Sequence, residues 1–303
     1  MPPEAFGHSV NLHEEDVSID LASASSWDVA TRYHEFKSKP SLKKLARHLR
    51  RLSASAILER AQAVMGSMVH PMDLHSRPWS ELPADAEQID FDVEETLENA
   101  PQILSGSAAD ITEQDIWMSY STPRRQSIVL SVDTSLSMTG EKLALTAVAL
   151  AVVLLEFPND PIGIVAFENE AKILKRPDEK VTVQQLVERF LDVPAQGYTH
   201  LEDGMRVALE LVRNTQAHGK GRPPSAVLLT DGKYTAGRDP AYLAAKFPHL
   251  IVLKMGKERA SLGLCRELAQ KGKGSLREVG ELEVLPTIMY GLIKDLLRGK
   301  TNA

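Results

Sequence analysis

Five oxygen-bearing side chains, Asp133, Ser135, Ser137, Thr199 and Asp231, are spaced so that they could converge on one hard cation. The strand-like run Ser127–Val132 leads into Asp133-Thr134-Ser135-Leu136-Ser137, and Ala226–Leu229 leads into Thr230-Asp231-Gly232. Between them lies Gly197-Tyr198-Thr199-His200-Leu201. An all-oxygen set argues against a structural zinc site and suits magnesium, manganese or calcium; magnesium demands octahedral geometry at about 2.0–2.1 Å and usually keeps waters. Only Asp133 and Asp231 carry charge, so the neutral hydroxyls leave the ion's positive charge poorly neutralised. Such an ion still attracts an external anion, and a carboxylate on another protein is a natural ligand for the open position.

Those carboxylates meet only if the chain folds in a particular way. Strand-like runs at Ile128–Val132, Ile162–Phe167, Ala226–Leu229 and Leu250–Met255 alternate with helix-like runs at Gly140–Phe157, Val183–Leu191, Leu201–Val212, Ala241–Lys246 and Ser261–Lys271. Shorter segments at Lys172–Leu174 and Ser275–Val279 supply an edge strand and a last strand, and Glu281–Leu297 closes as a helix entered near Pro286. Alternation of this kind predicts an α/β fold: a doubly wound, mostly parallel six-stranded sheet flanked by helices, Rossmann-like, with an N-terminal helical extension. In such sheets ligands bind beyond the carboxyl ends of the strands, at the point where the strand order reverses. Asp133 and Asp231 fall at two such ends.

The rest of the chain divides into a flexible arm over residues 1–25, a helical extension and acidic connector over 26–120, and the sheet domain over 121–303. Helical spacing at Trp27–Phe36 and Leu42–Met68 is broken by Pro40. In the second stretch Leu42, Leu45, Leu49 and Leu52 form one stripe, while Lys43, Lys44, Arg47, Arg50 and Arg51 occupy other faces, as in a solvated basic helix docked by its leucines. Pro71, Pro78 and Pro83 punctuate the next segment, and Asp85–Glu98 is strongly acidic, so Val69–Asp110 reads as a surface connector. The loop Asn214–Pro224 is polar and mobile in composition.

At 303 residues with 43% hydrophobic and 25% charged content, the chain has the composition of a globular protein able to bury a substantial core. A net charge of −6 disfavours wholesale nucleic-acid coating. The single cysteine, Cys265, cannot form an intramolecular disulfide and sits among Leu262, Leu264 and Leu268, as a core residue would. Nothing at the start resembles a secretory leader, and the apolar run Leu143–Leu155 falls short of the ~20 residues a membrane span needs. A cytoplasmic location is the default.

Several chemistries lack their residues. His8, His13, His34, His48, His70 and His75 are scattered without His-Glu-x-x-His spacing, and neither a phosphate-binding nor a dinucleotide-binding glycine loop is present. Met65 and Met68 with Val64 and Val69 read as packing surface. Lys233 reads as a solvated loop lysine.

At the five oxygen ligands the chain resembles the von Willebrand factor A domain, whose Asp-x-Ser-x-Ser motif, loop Thr and loop Asp form a metal-ion-dependent adhesion site. Asp133, Ser135, Ser137, Thr199 and Asp231 match those places in order, and the resemblance covers roughly residues 121–303. It implies a magnesium site that grips an acidic residue of a partner protein, with Ser135 and Ser137 bound directly and Thr199 engaged when the partner is present. Leu136 stands where many relatives carry Gly. The run Ile89–Leu97, followed by Arg124-Arg125, is similar to the lead-in of proteins that work beside MoxR-type AAA+ ATPases, and the magnesium-chelatase accessory subunit is a further relative of this type. The resemblance thus implies a non-enzymatic adaptor for such an ATPase. The alternatives are a magnesium-dependent phosphoesterase or hydrolase, against which Ser135 stands where a phosphatase would place its second acid, and a metal-free scaffold.

Overall fold

A computed structural model describes residues 24–39, 43–67, 75–84, 86–101, 112–121, 126–195, 197–218 and 223–298. Most of the expected arm lies outside the described residues, as do Leu42, Met68, Val69, residues 219–222 and Arg124-Arg125, while Asn214–His218, expected to open a loop, finish the helix that begins at Leu201. The chain forms two compact units, Met1–Ser67 with Arg125–Ala303, and Met68–Arg124.

The N-terminal helices are α1 (Ser26–Thr31), α2 (Tyr33–Ser38) and α3 (Ala46–Gly66). Ser25 and Asp28 form a capping box that starts α1: Asp28 N donates to Ser25 Oγ at 3.1 Å and Ser25 N donates to Asp28 Oδ2 at 3.0 Å. The single helix expected over Trp27–Phe36 is broken at Arg32, whose φ of −102° and ψ of 8° end one helix and begin the next. In α3 the leucine stripe is only partly buried. Burial falls on Leu49, Ser53, Ala54, Ala56, Ile57 and Ala61, mostly small side chains that let the helix approach its neighbours closely.

Residues 68–124 hold more regular structure than a connector. Strands β1 (His75–Pro78), β2 (Glu87–Phe91) and β3 (Trp117–Ser121) form an antiparallel sheet in the order β1-β3-β2, with α4 (Val93–Asn99) after β2. Asp92 caps α4 by accepting from Glu95 N at 3.1 Å. The short, prolyl β1 carries little strand signal because it lies at the sheet edge, where Pro78 costs no ladder bond inside the sheet.

The large sheet comprises β4 (Ile128–Asp133), β5 (Ile162–Phe167), β6 (Ala171–Lys175), β7 (Ser225–Thr230), β8 (Leu250–Met255) and β9 (Leu276–Val279). Its order is β6-β5-β4-β7-β8-β9, parallel throughout except at β5–β6. The doubly wound sheet expected from the alternation is therefore present, and its order reverses between β4 and β7. Every residue of β4, β5, β7 and β8 is buried, as strands covered on both faces require.

Helices α7 (Leu201–His218), α8 (Ala241–Ala244) and α9 (Leu262–Lys271) pack on Val129, Val165, Leu228 and Val252. Gly204 in α7 is forced by that packing, since a Cβ there would collide with the Phe167 ring. Helix α5 (Glu141–Glu156) is apolar nearly all round and lies against α10 (Leu285–Leu297), α3 and α6 (Val183–Asp192). Lys43, Lys44, Arg47 and Arg51 are exposed, as a solvated basic face requires, but one basic residue of α3 finds partners here. Arg50 pairs with Glu188 at 2.6 Å and Asp192 at 3.0 Å, while Lys37 Nζ donates to the carbonyls of Leu191 and Asp192 at the α6 C-terminus. Among the described residues no helix is long and apolar enough to cross a membrane.

Candidate metal centre

Because β4 and β7 are parallel neighbours with Val132 paired to Leu229, their ends arrive side by side. Asp133 is the last residue of β4, and Thr230 the last of β7. Thr230 Oγ1 donates to Asp133 Oδ2 at 2.7 Å, and Ser135 N donates to Asp133 Oδ1 at 2.9 Å. Thr134 N and Oγ1 both donate to Phe167 O, at 2.8 and 3.1 Å, stapling the same turn to β5. The carboxylate is thus fixed before any ligand arrives.

The turn then brings Ser135 Oγ and Ser137 Oγ to 3.2 Å of each other. Adjacent ligands of an octahedral ion at about 2.1 Å stand about 3 Å apart, so this pair already has the spacing of neighbouring ligands. Asp231 follows Thr230 and is buried. Its Oδ1 accepts from Lys233 N at 3.1 Å, while Oδ2 is buried without a hydrogen-bond partner. Lys233 Nζ stands 3.9 Å from Oδ2, beyond hydrogen-bond reach, and forms an ion pair with Glu258. The lysine is therefore not simply solvated: it pairs with Glu258 and makes a long ion pair with Asp231.

The electrostatics point the same way. Burial pushes the Asp133 carboxyl up to about 6, and the negative charge of Asp231 adds to the rise, while the hydrogen bonds from Ser135 and Thr230 oppose it. Two buried carboxylates repelling one another, one with an orphaned oxygen, form a cradle that a cation relieves. The described residues hold no grouping of three or more His, Cys, Asp or Glu placed to bind a metal, so an ion here would rest on two carboxylates and hydroxyls.

Thr199 is buried on a loop hydrogen-bonded to both neighbouring turns. Leu136 N donates to Gly197 O at 3.4 Å on one side; on the other, Thr199 N donates to Thr235 Oγ1 at 3.0 Å, and Thr235 N returns to Thr199 O at 3.1 Å. The end of β5 anchors this loop from behind: Gly197 N donates to Glu168 Oε2 at 2.8 Å, and His200 N to Glu168 O at 2.7 Å. His200 Nδ1 lies 3.1 Å from Asn169 O.

Thr230, Gly232 and Ser261 support the centre without having been legible as site residues. Gly232 has φ +77°, and a Cβ there would lie 2.5 Å from Cys265 Sγ and 2.8 Å from Ser261 Cβ. Ser261 Oγ donates to the Asp231 carbonyl. Thr230 could have been found as the hydroxyl ending the strand beside Asp133. Ser261 and Cys265 could not, because their contact depends on how α9 returns to the sheet.

Residues 128–233 match the family model described as the von Willebrand factor type A domain, a span running from β4 to the turn after Asp231. Among curated sequences, the chain is 26% identical over 205 residues to the human inter-alpha-trypsin inhibitor heavy chain H6, covering 60% of this chain and 16% of that protein. It is 27% identical over 156 residues to an uncharacterised protein of Mycobacterium tuberculosis, covering 48% of this chain and 24% of that one. The chain therefore spans less than a quarter of the length of the curated relatives it matches. Among solved structures, a von Willebrand factor type A protein from Catenulispora acidiphila gives a TM-score of 0.47 at 16% identity, covering 59% of this chain and 44% of that chain. Proximal thread matrix protein 1 from the mussel byssus, with a zinc-occupied MIDAS motif, gives 0.44 at 21% identity, covering 56% and 47%. The family match, together with a mostly parallel six-stranded sheet flanked by helices, supports a von Willebrand factor type A domain in this chain.

Proposed function

We propose that this chain is a metal-dependent protein-interaction module in which Asp133, Ser135, Ser137, Thr199 and Asp231 hold a divalent ion, magnesium by preference. One observation carries the reading: Asp231 Oδ2 is buried without a hydrogen-bond partner beside a second buried carboxylate, Asp133. When bound, the ion supplies an electrophilic position for the Asp or Glu carboxylate of a partner protein. The chain's own residues prepare that position. Thr230 and Ser135 N orient Asp133, the turn sets the two serine hydroxyls side by side, and the Glu168 and Thr235 bonds hold the Thr199 loop against them.

The module spans residues 121–303, with the helices of 26–120 as an extension, and acts in the cytoplasm as an adaptor for a MoxR-type AAA+ ATPase. The acidic run Ile89–Leu97, similar to the lead-in of proteins that work beside such ATPases, supports that assignment. Affinity capture from lysate in magnesium, in chelator, and with Asp133→Ala tests it. Partners should be retained only by the first, an AAA+ ATPase among them; indifference to both the chelator and the substitution discards the mechanism. Phosphoester turnover lost in Asp133→Asn would replace it with the hydrolase reading.

A further inference from the structure

We infer that this crest selects its partner by apolar as well as ionic contact: Leu136, Tyr198 and Tyr234 form a collar suited to a protein segment whose Asp or Glu is flanked by aliphatic or aromatic side chains. The inference deepens the reading above and rests on it for the position of the carboxylate.

The three side chains are 61%, 69% and 39% exposed, although the ligand residues they accompany, Ser135, Thr199 and Asp231, are buried. Leu136 lies between Ser135 and Ser137, Tyr198 precedes Thr199, and Tyr234 follows the Asp231 turn. Each belongs to a different loop, and the loops are bonded to one another through Leu136 N to Gly197 O and Thr199 N to Thr235 Oγ1. Tyr198 is held further by its amide, which donates to Asn169 Oδ1 at 2.8 Å. Single exposed apolar residues are ordinary on a protein surface. Three from separate loops gathered at one crest are what an interaction site looks like.

Charge and side-chain type define the occupant. Lys142 Nζ donates to Ser137 O at 3.2 Å, and Lys233 stands beside Asp231, ion-paired with Glu258. The Lys142 ammonium at the serine turn disfavours a cationic segment and favours an anionic one. Tyrosine covers apolar surface at low entropy cost and is enriched where binding energy concentrates. An acidic side chain flanked by glycine would leave this surface wet, whereas one flanked by Leu and Phe would cover it.

The test uses the full chain and beads coated with one of two peptides, Gly-Gly-Leu-Asp-Phe-Gly-Gly or Gly-Gly-Gly-Asp-Gly-Gly-Gly, in magnesium and in EDTA. Wild type should be retained about tenfold better by the first peptide, the size expected from burying part of two or three apolar side chains. Tyr198→Ser/Tyr234→Ser, which alters only exposed rings, should lose that preference. Equal retention by wild type, including none on either bead, overturns the collar, as does a preference that survives in the double variant. A magnesium-induced rise in melting temperature, read on the same samples, separates the two ideas. If that rise is present without a peptide preference, the collar fails and the metal reading stands. If a tyrosine-dependent preference persists in EDTA and no rise occurs, the metal reading fails and the collar stands.

Discussion

Thr230 Oγ1 donates to Asp133 Oδ2 at 2.7 Å, joining the ends of the two strands between which the sheet reverses. The hydroxyl also accepts from Gly232 N at 3.0 Å, so one side chain orients the first carboxylate and the turn that carries the second. Thr230→Val keeps the shape and removes both bonds. Urea unfolding should show a loss of about 1–3 kcal/mol, the cost of a buried acceptor left unmade. Calorimetric titration should show weaker magnesium binding.

Asp231→Asn addresses the two buried carboxylates directly. In metal-free protein the substitution removes both the repulsion from Asp133 and the long ion pair with Lys233, opposing effects that should leave the melting temperature nearly level. Wild type should gain about 2.7 kcal/mol at a magnesium concentration a hundredfold above its Kd, and the variant should gain almost none. A variant destabilised in EDTA to the same degree as in magnesium would place Asp231 in a purely structural role.

Gly232→Ala should cost at least about 2 kcal/mol, from left-handed backbone strain together with overpacking against Cys265 and Ser261. Gly140 offers the contrast. It too has positive φ, at +78°, but a Cβ there meets nothing within 4 Å, so Gly140→Ala should lose only the backbone portion. Thermal unfolding of the pair separates strain from crowding.

His34 sets a pH dependence on the N-terminal helices. Burial, with the charge of Lys37 adding to it, pushes its imidazole down from 6.5 to about 4, and its Nε2 is buried without a hydrogen-bond partner. The unfolded chain therefore takes up a proton that the folded chain refuses. Stability should be fully present above about pH 6.5 and fall as pH drops toward 4, by about 3 kcal/mol in all. His34→Leu should flatten that slope in chemical denaturation measured across the window.

Much of this was legible in the sequence because the information was local. Asp133 and Asp231 sit at the ends of buried strands, and the alternation of strand and helix dictates that such ends share a crest. The small sheet was not legible: β1 has the sequence His-Ser-Arg-Pro, and β2 mixes Ile89 and Phe91 with Glu87 and Asp90, so neither shows a clean period of two. The break at Arg32 has no proline or glycine to mark it. The basic helix was readable as a helix, but its ion pairs with Glu188 and Asp192 depend on which neighbour it meets, and that is tertiary information.

Cys265 is the only cysteine of the chain, and its thiol lies under the Gly232 turn with its pKa pushed up to about 11 by burial. A thiol that protonated and that enclosed reacts with alkylating reagents only when its cover lifts. The rate of single-site labelling is thus a built-in clock for breathing of the floor beneath Asp231. Any occupant that tightens the crest above should slow that clock without touching the sulfur.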